Sequence, residues 1–127
     1  MGSVEVKLLL DSVIIVDHFN GISPATEYLS VTRGQVAISV ITRAEVLAGF
    51  DEVSGKLALR LLDALPTLDI GKAIADRAAQ LRRDHRWKLP DAFQAALAQH
   101  YGMSLVTRNT KDFPPQSYSF VVVPYTM

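Results

Sequence analysis

Short apolar runs alternate with segments of helical periodicity along the whole chain. The apolar runs predict strands over residues 4–10, 36–40, 67–70, 104–106 and 120–123. The intervening segments predict helices over 13–19, 24–33, 42–49 and 54–65, one with the inner face Ile74, Ala78, Leu81 and His85, and one with the inner face Phe93, Ala96, Leu97 and His100. This alternation is typical of an α/β fold in which helices cover both faces of a parallel sheet.

Composition adds three limits to this prediction. A chain of 127 residues with 49% hydrophobic residues and no net charge predicts a single ordered domain over residues 1–127. The absence of cysteine excludes thiol nucleophiles, disulfides and zinc-thiolate sites. Residues 1–7 lack the pattern of a signal peptide, and no apolar run reaches the roughly 20 residues that span a bilayer, so we expect a cytoplasmic protein that does not act at a membrane.

Side chains with oxygen ligands lie near the ends of the predicted strands. Asp11 directly follows the first strand, and Glu45 lies in the first turn after the second. Asn109 and Asp112 follow the strand that starts at residue 104, and Asp91 begins the helix that leads into it. Because the carboxyl ends of parallel strands meet at one edge of a sheet, we expect these five side chains to converge.

Several carboxylates in a small volume repel each other unless a cation or a proton compensates them. Mg²⁺ or Mn²⁺ suits a site made of oxygen ligands, and its remaining coordination positions take water and substrate phosphate. Such a metal lowers the pKa of a bound water and orients it for in-line attack. The pattern therefore predicts phosphodiester hydrolysis without a nucleophilic side chain.

Each acid also has a purely structural interpretation. Asp11 is a good residue to cap the following helix, and Asp91 would do the same for its own helix with Gln94 three positions later. Thr42 and Glu45 have the spacing of a capping box. The two remaining candidates, after the fourth strand, are of the residue types that turns prefer.

Basic residues are concentrated between residues 71 and 90. This segment holds six basic and two acidic residues, a net charge of +4, which leaves −4 for the rest of the chain. It predicts a surface that binds nucleic-acid phosphates, while Trp87 stacks on an unpaired base. A solvated helix face is the alternative. The candidate substrate-binding residues in it are Arg82, Arg83 and Arg86.

Four sequence blocks, in order, resemble a known family. They are Leu8–Ser12 followed by Asp17, Ser39–Glu45 with Gly49, Pro90–Ala92, and Leu105–Phe113. Together they resemble a PIN domain of the VapC toxin type. The resemblance implies a three-layer α/β/α sandwich with a mainly parallel, four- to five-stranded sheet, and a Mg²⁺- or Mn²⁺-dependent endoribonuclease of a toxin-antitoxin system.

The resemblance also assigns roles to individual residues. The acidic positions that would bind metal and catalyse are Asp11, Glu45, Asp91 and a fourth position filled by Asn109 or Asp112. Thr107 would support a carboxylate or the attacking water by hydrogen bonding, and Arg108 would contact substrate phosphate. The chain departs from the family at Val13, where Ser or Asn is common. Asp17, from its pattern alone, is interpreted as an ordinary surface acid.

The resemblance further implies partners. We expect a cognate VapB-type antitoxin, an RNA substrate with tRNA as one candidate, and a homodimer whose interface includes Leu57, Leu61 and Leu62, although these leucines suit a core equally well. Attack by water would leave 3′-hydroxyl and 5′-phosphate ends. Two other functions stay open: a PIN-like module that binds RNA or protein with little cleavage, and a domain phosphorylated on an aspartate.

Overall fold

The computed structural model describes residues 5–127, and its centre is a five-stranded sheet. The strands are β1 (Leu8–Leu10), β2 (Val36–Ser39), β3 (Thr67–Leu68), β4 (Ser104–Val106) and β5 (Val121–Val122). Their order across the sheet is β3-β2-β1-β4-β5, and all four neighbouring pairs are parallel. The predicted sheet is therefore confirmed, with five strands.

Six helices connect the strands within the described residues. They are α1 (Ser12–Phe19), α2 (Ser23–Val31), α3 (Val40–Ala48), α4 (Gly55–Asp63), α5 (Lys72–His85) and α6 (Leu89–Tyr101). Helix α6 ends at Gly102, which has a φ of 64° in the left-handed region that glycine adopts without strain. None of these helices is long and apolar enough to cross a membrane.

Two hydrophobic cores lie on opposite faces of the sheet. Leu9 points to one core, which it shares with α5 and α6, and Leu10 points to the other, which contains residues of α1, α3 and α4. Successive strand residues alternate between faces, so a strand covered on both sides must be apolar at every position. The arrangement is the predicted three-layer α/β/α sandwich.

Several predicted boundaries and faces are wrong in detail. The first strand begins at Leu8, and its predicted start at Val4 lies outside the described residues. Val40 begins α3 instead of ending β2, since Ser39 caps that helix. His85 and His100 are exposed, because each stands near the last turn of its helix, beyond the part that packs on the sheet.

Candidate active site

The candidate site begins where the strand order reverses. Chain connections run from β1 to β2 and β3 on one side, whereas β4 and β5 pair on the other side of β1. The carboxyl ends of β1 and β4 therefore form a crevice of the kind in which open α/β sheets bind ligands. Asp11 follows β1 there, and its backbone N–H donates to the carbonyl of Val106 in β4, at 2.9 Å.

Both carboxylate oxygens of Asp11 accept hydrogen bonds. Oδ1 accepts from the backbone N–H of Ser12 at 2.9 Å, so Asp11 does cap α1 as its structural interpretation predicts. Oδ2 accepts from the hydroxyl of Thr107 at 2.7 Å, across the β1–β4 crevice. The carboxylate is 8% exposed, and these donors hold its orientation. Thr107 thus supports a carboxylate, one of its two predicted roles.

Glu45 does not belong to a capping box. Because Ser39 caps α3 and its Oγ accepts from the N–H of Thr42 at 3.1 Å, Glu45 lies in the second turn of the helix. Partial burial raises the pKa of Glu45, the hydroxyl of Ser12 opposes that rise by hydrogen bonding, and the charge of Asp11 adds to it. The carboxylate of Glu45 therefore lies within electrostatic reach of Asp11.

Asp91 is the third residue of α6, and the cap of this helix is Lys88, so the interpretation of Asp91 as an N-cap is wrong. Burial, followed by the charges of Asp11, Asp112 and Glu45, raises its pKa to about 6, and Lys88 acts in the opposite direction. Asp91 therefore lies within electrostatic reach of the other three acids.

Asn109 and Asp112 take different places in the loop after β4. The side chain of Asn109 donates to Asp112 Oδ2 at 3.0 Å and accepts from the N–H of Asp112 at 3.3 Å. Its own backbone N–H donates to Thr107 Oγ1 at 3.0 Å. Asn109 therefore organises the loop, whereas Asp112 is the member of the pair whose charge acts on Asp91.

The donor set suits a hard divalent cation. The converging groups are carboxylates, and the mutual repulsion that raises the pKa of Asp91 is what a dication would relieve. Within residues 5–127, no three acidic or imidazole side chains are gathered tightly enough to enclose an ion. Mg²⁺ is commonly held by only one or two carboxylates and several waters, so these residues fit it without a closed cage.

A buried polar cluster beside Asp11 escaped the sequence analysis. Gln94 of α6 is 1% exposed, and its side chain contacts Ser39 and Thr42, both fully buried, as well as Asp11. Its position among apolar residues of α6 is a weak signal of burial, because a glutamine near the start of a helix is more easily interpreted as a capping residue that faces solvent.

Asp17 and Arg108 form a second feature that sequence reasoning missed. The guanidinium of Arg108 donates to both oxygens of Asp17, at 2.6 and 2.9 Å, and the hydroxyl of Tyr125 donates to Asp17 Oδ2 at 2.8 Å. Asp17 is 5% exposed, so its interpretation as a surface acid is wrong. The carboxylate of Asp17 fixes the orientation of the Arg108 guanidinium, so the predicted phosphate contact of Arg108 would have to coexist with this ion pair.

The side chains of the basic segment differ in their exposure and contacts. Trp87 is 4% exposed and packs in the core with Phe113, so it does not stack on a base, and its Nε1–H donates to the carbonyl of Asp112 at 3.0 Å. Arg82 donates to the carbonyl of Trp87 at 2.8 Å, just after the end of α5, so its guanidinium is already engaged within the protein. Arg83 and Arg86 are exposed at this end of the helix. The indole was misassigned because its apolar surface is best buried under the loop that carries Asp112.

Known proteins resemble this chain in sequence. The PIN domain family model matches residues 8–114. Ribonuclease VapC10 of Mycobacterium tuberculosis (strain ATCC 25618 / H37Rv) is 32% identical over 114 residues, which cover 84% of this chain and 86% of the relative.

Solved structures share the fold. A toxin-antitoxin complex from Klebsiella pneumoniae contains a chain with a TM-score of 0.85 and 37% identity, over 94% of this chain and 99% of that one. FitAcB from Neisseria gonorrhoeae, with a TM-score of 0.78 and 21% identity over 94% and 99% of the two chains, shares the fold alone. The DNA-bound VapBC from Salmonella typhimurium also shares only the fold, with a TM-score of 0.73 and 22% identity over 86% of this chain and 91% of that one.

Proposed function

Because the chain belongs to the PIN domain family, as a homologue of the VapC ribonucleases, we propose that it is a Mg²⁺- or Mn²⁺-dependent endoribonuclease that acts as a toxin. The observation that carries the proposal is the convergence of Asp11, Glu45, Asp91 and Asp112, whose charges act on one another where β1 and β4 end. A dication would compensate these charges, and when bound it would supply the attacking water.

We propose a different role for each acid according to the groups that surround it. Asp11, held by Thr107 and Ser12, would be the fixed ligand, and Asp91 and Glu45 would bind the same cation directly or through its water molecules. When bound, the cation supplies a more acidic water and stabilises the charge that grows on the phosphate. Glu45 or Asp91 would accept the proton of the attacking water at a carboxylate oxygen. Asp112, kept in place by Asn109, fills the fourth acidic position.

The products test this mechanism directly. Purified protein incubated with RNA and Mg²⁺ or Mn²⁺ should release fragments with 5′-phosphate and 3′-hydroxyl ends, and EDTA should stop the reaction. Phosphatase treatment followed by end-labelling identifies the 5′ ends. Fragments with 2′,3′-cyclic phosphate, or cleavage that persists in EDTA, would exclude it. Metal-dependent turnover would also exclude a module that only binds RNA or protein.

Arg83 and Arg86 are proposed to bind substrate phosphates beside the acidic site. Replacing both with Gln should raise KM severalfold with little change in kcat, because phosphate contacts position the RNA without taking part in the reaction. Each lost contact should also lower the slope of log KM against log salt by about 0.7, the value for single strands. Steady-state cleavage at several salt concentrations measures both.

The matched control for this double variant is Arg60→Gln, which removes an exposed arginine from α4, on the other layer of the sandwich. It should leave KM and the salt slope unchanged. An equal effect of both changes would mean that net charge, and not the end of α5, attracts the RNA.

We further propose that a cognate VapB-type antitoxin inhibits the protein and that the protein itself is a homodimer. The first part is supported by the similar chain from Klebsiella pneumoniae, whose structure is that of a toxin-antitoxin complex. For the second part, Leu57 is 64% exposed, whereas Leu62 is buried in the core and Leu61 packs against it. Leu57→Asp should therefore shift the mass measured by light scattering from dimer to monomer, and an unchanged mass would remove α4 from the interface.

A further inference from the structure

We propose that Gln94 is a positioning residue that, together with Ser12 and Thr107, holds Asp11 in its orientation and, through α3 and α6, sets the spacing of the acids around it. This inference deepens the proposed function, because it concerns how the same site is prepared to bind its cation. It starts from the cluster of Gln94, Ser39, Thr42 and Asp11, which joins α6, the β2–α3 junction and the β1–α1 junction.

The hydrogen atoms of the cluster fix which end of the Gln94 amide faces Asp11. Ser39 Oγ accepts from the N–H of Thr42 and donates to Gln94 Oε1 at 2.7 Å. Thr42 Oγ1 uses its own hydrogen toward the carbonyl of Leu10, at 3.2 Å, so it can only accept from Gln94 Nε2, at 2.7 Å. The amide nitrogen is thus the end that faces Asp11.

Gln94 reaches Asp11 by two routes. The first is direct, since Nε2 has a second hydrogen and lies 3.5 Å from Asp11 Oδ1, at the long end of hydrogen-bond range. The second runs through Thr42, whose hydroxyl binds the carbonyl of Leu10, the residue just before Asp11. Both routes constrain the point at which β1 ends.

The same amide ties together the helices that carry the other acids. Gln94 lies one turn after Asp91 on α6, and its partners Ser39 and Thr42 lie at the start of α3, before Glu45. All three polar side chains are buried at 0–1% exposure. Leaving a buried amide or hydroxyl unpaired is energetically costly, so the cluster strongly favours one relative position of the two helices.

The test replaces the amide without changing the volume much. In Gln94→Met, the dissociation constant of Mn²⁺, measured calorimetrically on the folded, metal-free protein, should rise about 10- to 100-fold, as is typical when a group that supports a metal ligand is removed. The kcat for RNA cleavage should fall, and KM should change little, because substrate phosphates are bound elsewhere. Melting in EDTA, recorded in parallel, reports stability separately.

Ser39→Ala tests the same proposal at a second residue of the cluster. It removes the hydroxyl that orients the amide but touches neither Asp11 nor the cation, so Mn²⁺ affinity should still fall. The double variant Ser39→Ala, Gln94→Met should bind Mn²⁺ no more weakly than Gln94→Met alone, because Ser39 affects the site only by orienting the Gln94 amide. Additive losses would show that Ser39 acts only as the cap of α3.

Gln99→Met is the matched control, since Gln99 lies on the exposed face of the same helix and accepts from Arg77. It should leave Mn²⁺ affinity unchanged. Wild-type Mn²⁺ affinity in folded Gln94→Met would overturn the positioning role, as would a lower melting temperature with an unchanged dissociation constant. Protein that binds Mn²⁺ but cleaves no RNA would instead overturn the proposed function.

Discussion

Replacing Asp11 with Asn is expected to lower the rate of RNA cleavage at least ~10³-fold, more than the roughly 10- to 100-fold loss expected when a supporting residue is removed. The change removes the charge of the acid that lies between β1 and β4 and that influences both Glu45 and Asp91. Single-turnover cleavage of a defined RNA at saturating Mg²⁺ measures the effect on the chemical step.

The protein should remain folded in this variant. Asn is as good an N-cap as Asp, so the bond from the N–H of Ser12 to the side chain can persist and α1 should keep its start. A far-ultraviolet circular dichroism spectrum like that of the wild type checks this.

Asp69→Asn is the matched control for Asp11→Asn, because it makes the same chemical change after another strand of the sheet. Asp69 is exposed and follows β3, at the far edge from the β1–β4 crevice. The Asp69→Asn variant should cleave RNA at the wild-type rate. If Asp11→Asn retains more than about a tenth of the activity, the metal-binding assignment cannot stand, because one charge cannot then be essential to the site.

Asp17→Asn is expected to destabilise the protein by about 2–3 kcal/mol at neutral pH. The substitution removes the charge that binds Arg108 and leaves that guanidinium partly buried without its counter-ion. The full cost of a buried pair is reduced here because the side chain of Arg108 is still 27% exposed. Urea unfolding at pH 7 gives the free-energy difference.

The pH dependence of this loss has a definite sign. The hydrogen bonds from Arg108 lower the pKa of Asp17 below its ordinary value of 3.8, and burial opposes them only in part. A carboxyl whose pKa is lower in the folded state stabilises the protein above its unfolded pKa and ceases to do so as the pH falls. The difference between wild type and Asp17→Asn should therefore shrink below about pH 4.

Tyr125→Phe separates the ion pair from the other hydrogen bond to Asp17. Burial and the charge of Asp17 raise the pKa of Tyr125, so its hydroxyl keeps its proton and donates to that carboxylate. The variant should lose roughly 1 kcal/mol, since only one donor disappears. A larger loss of stability than in Asp17→Asn would mean that the packing of Tyr125, and not the ion pair, stabilises the surroundings of Asp17.

The layered fold follows directly from local patterns in the sequence. Apolar runs such as Leu8–Leu10 can be satisfied only where both faces of a strand are covered, and helical periodicity supplies the cover. For the same reason Asp11 stands out, because a carboxylate placed directly after a buried strand must face the end of the sheet. The other acids are recognisable mainly through the resemblance of their surrounding blocks to a family.

Tertiary structure decided which side chains meet. Nothing near Asp17 in the sequence indicates Arg108, 91 positions later, and Trp87 looks like a surface ring until the loop with Asp112 covers it. The sequence by itself determined the succession of strands and helices along the chain and the position of the acid after β1, because these depend on neighbouring residues. Only the folded chain determined the partners of Gln94, Asp17 and Trp87, because side chains distant along the chain become neighbours once the two cores have formed on either face of the sheet.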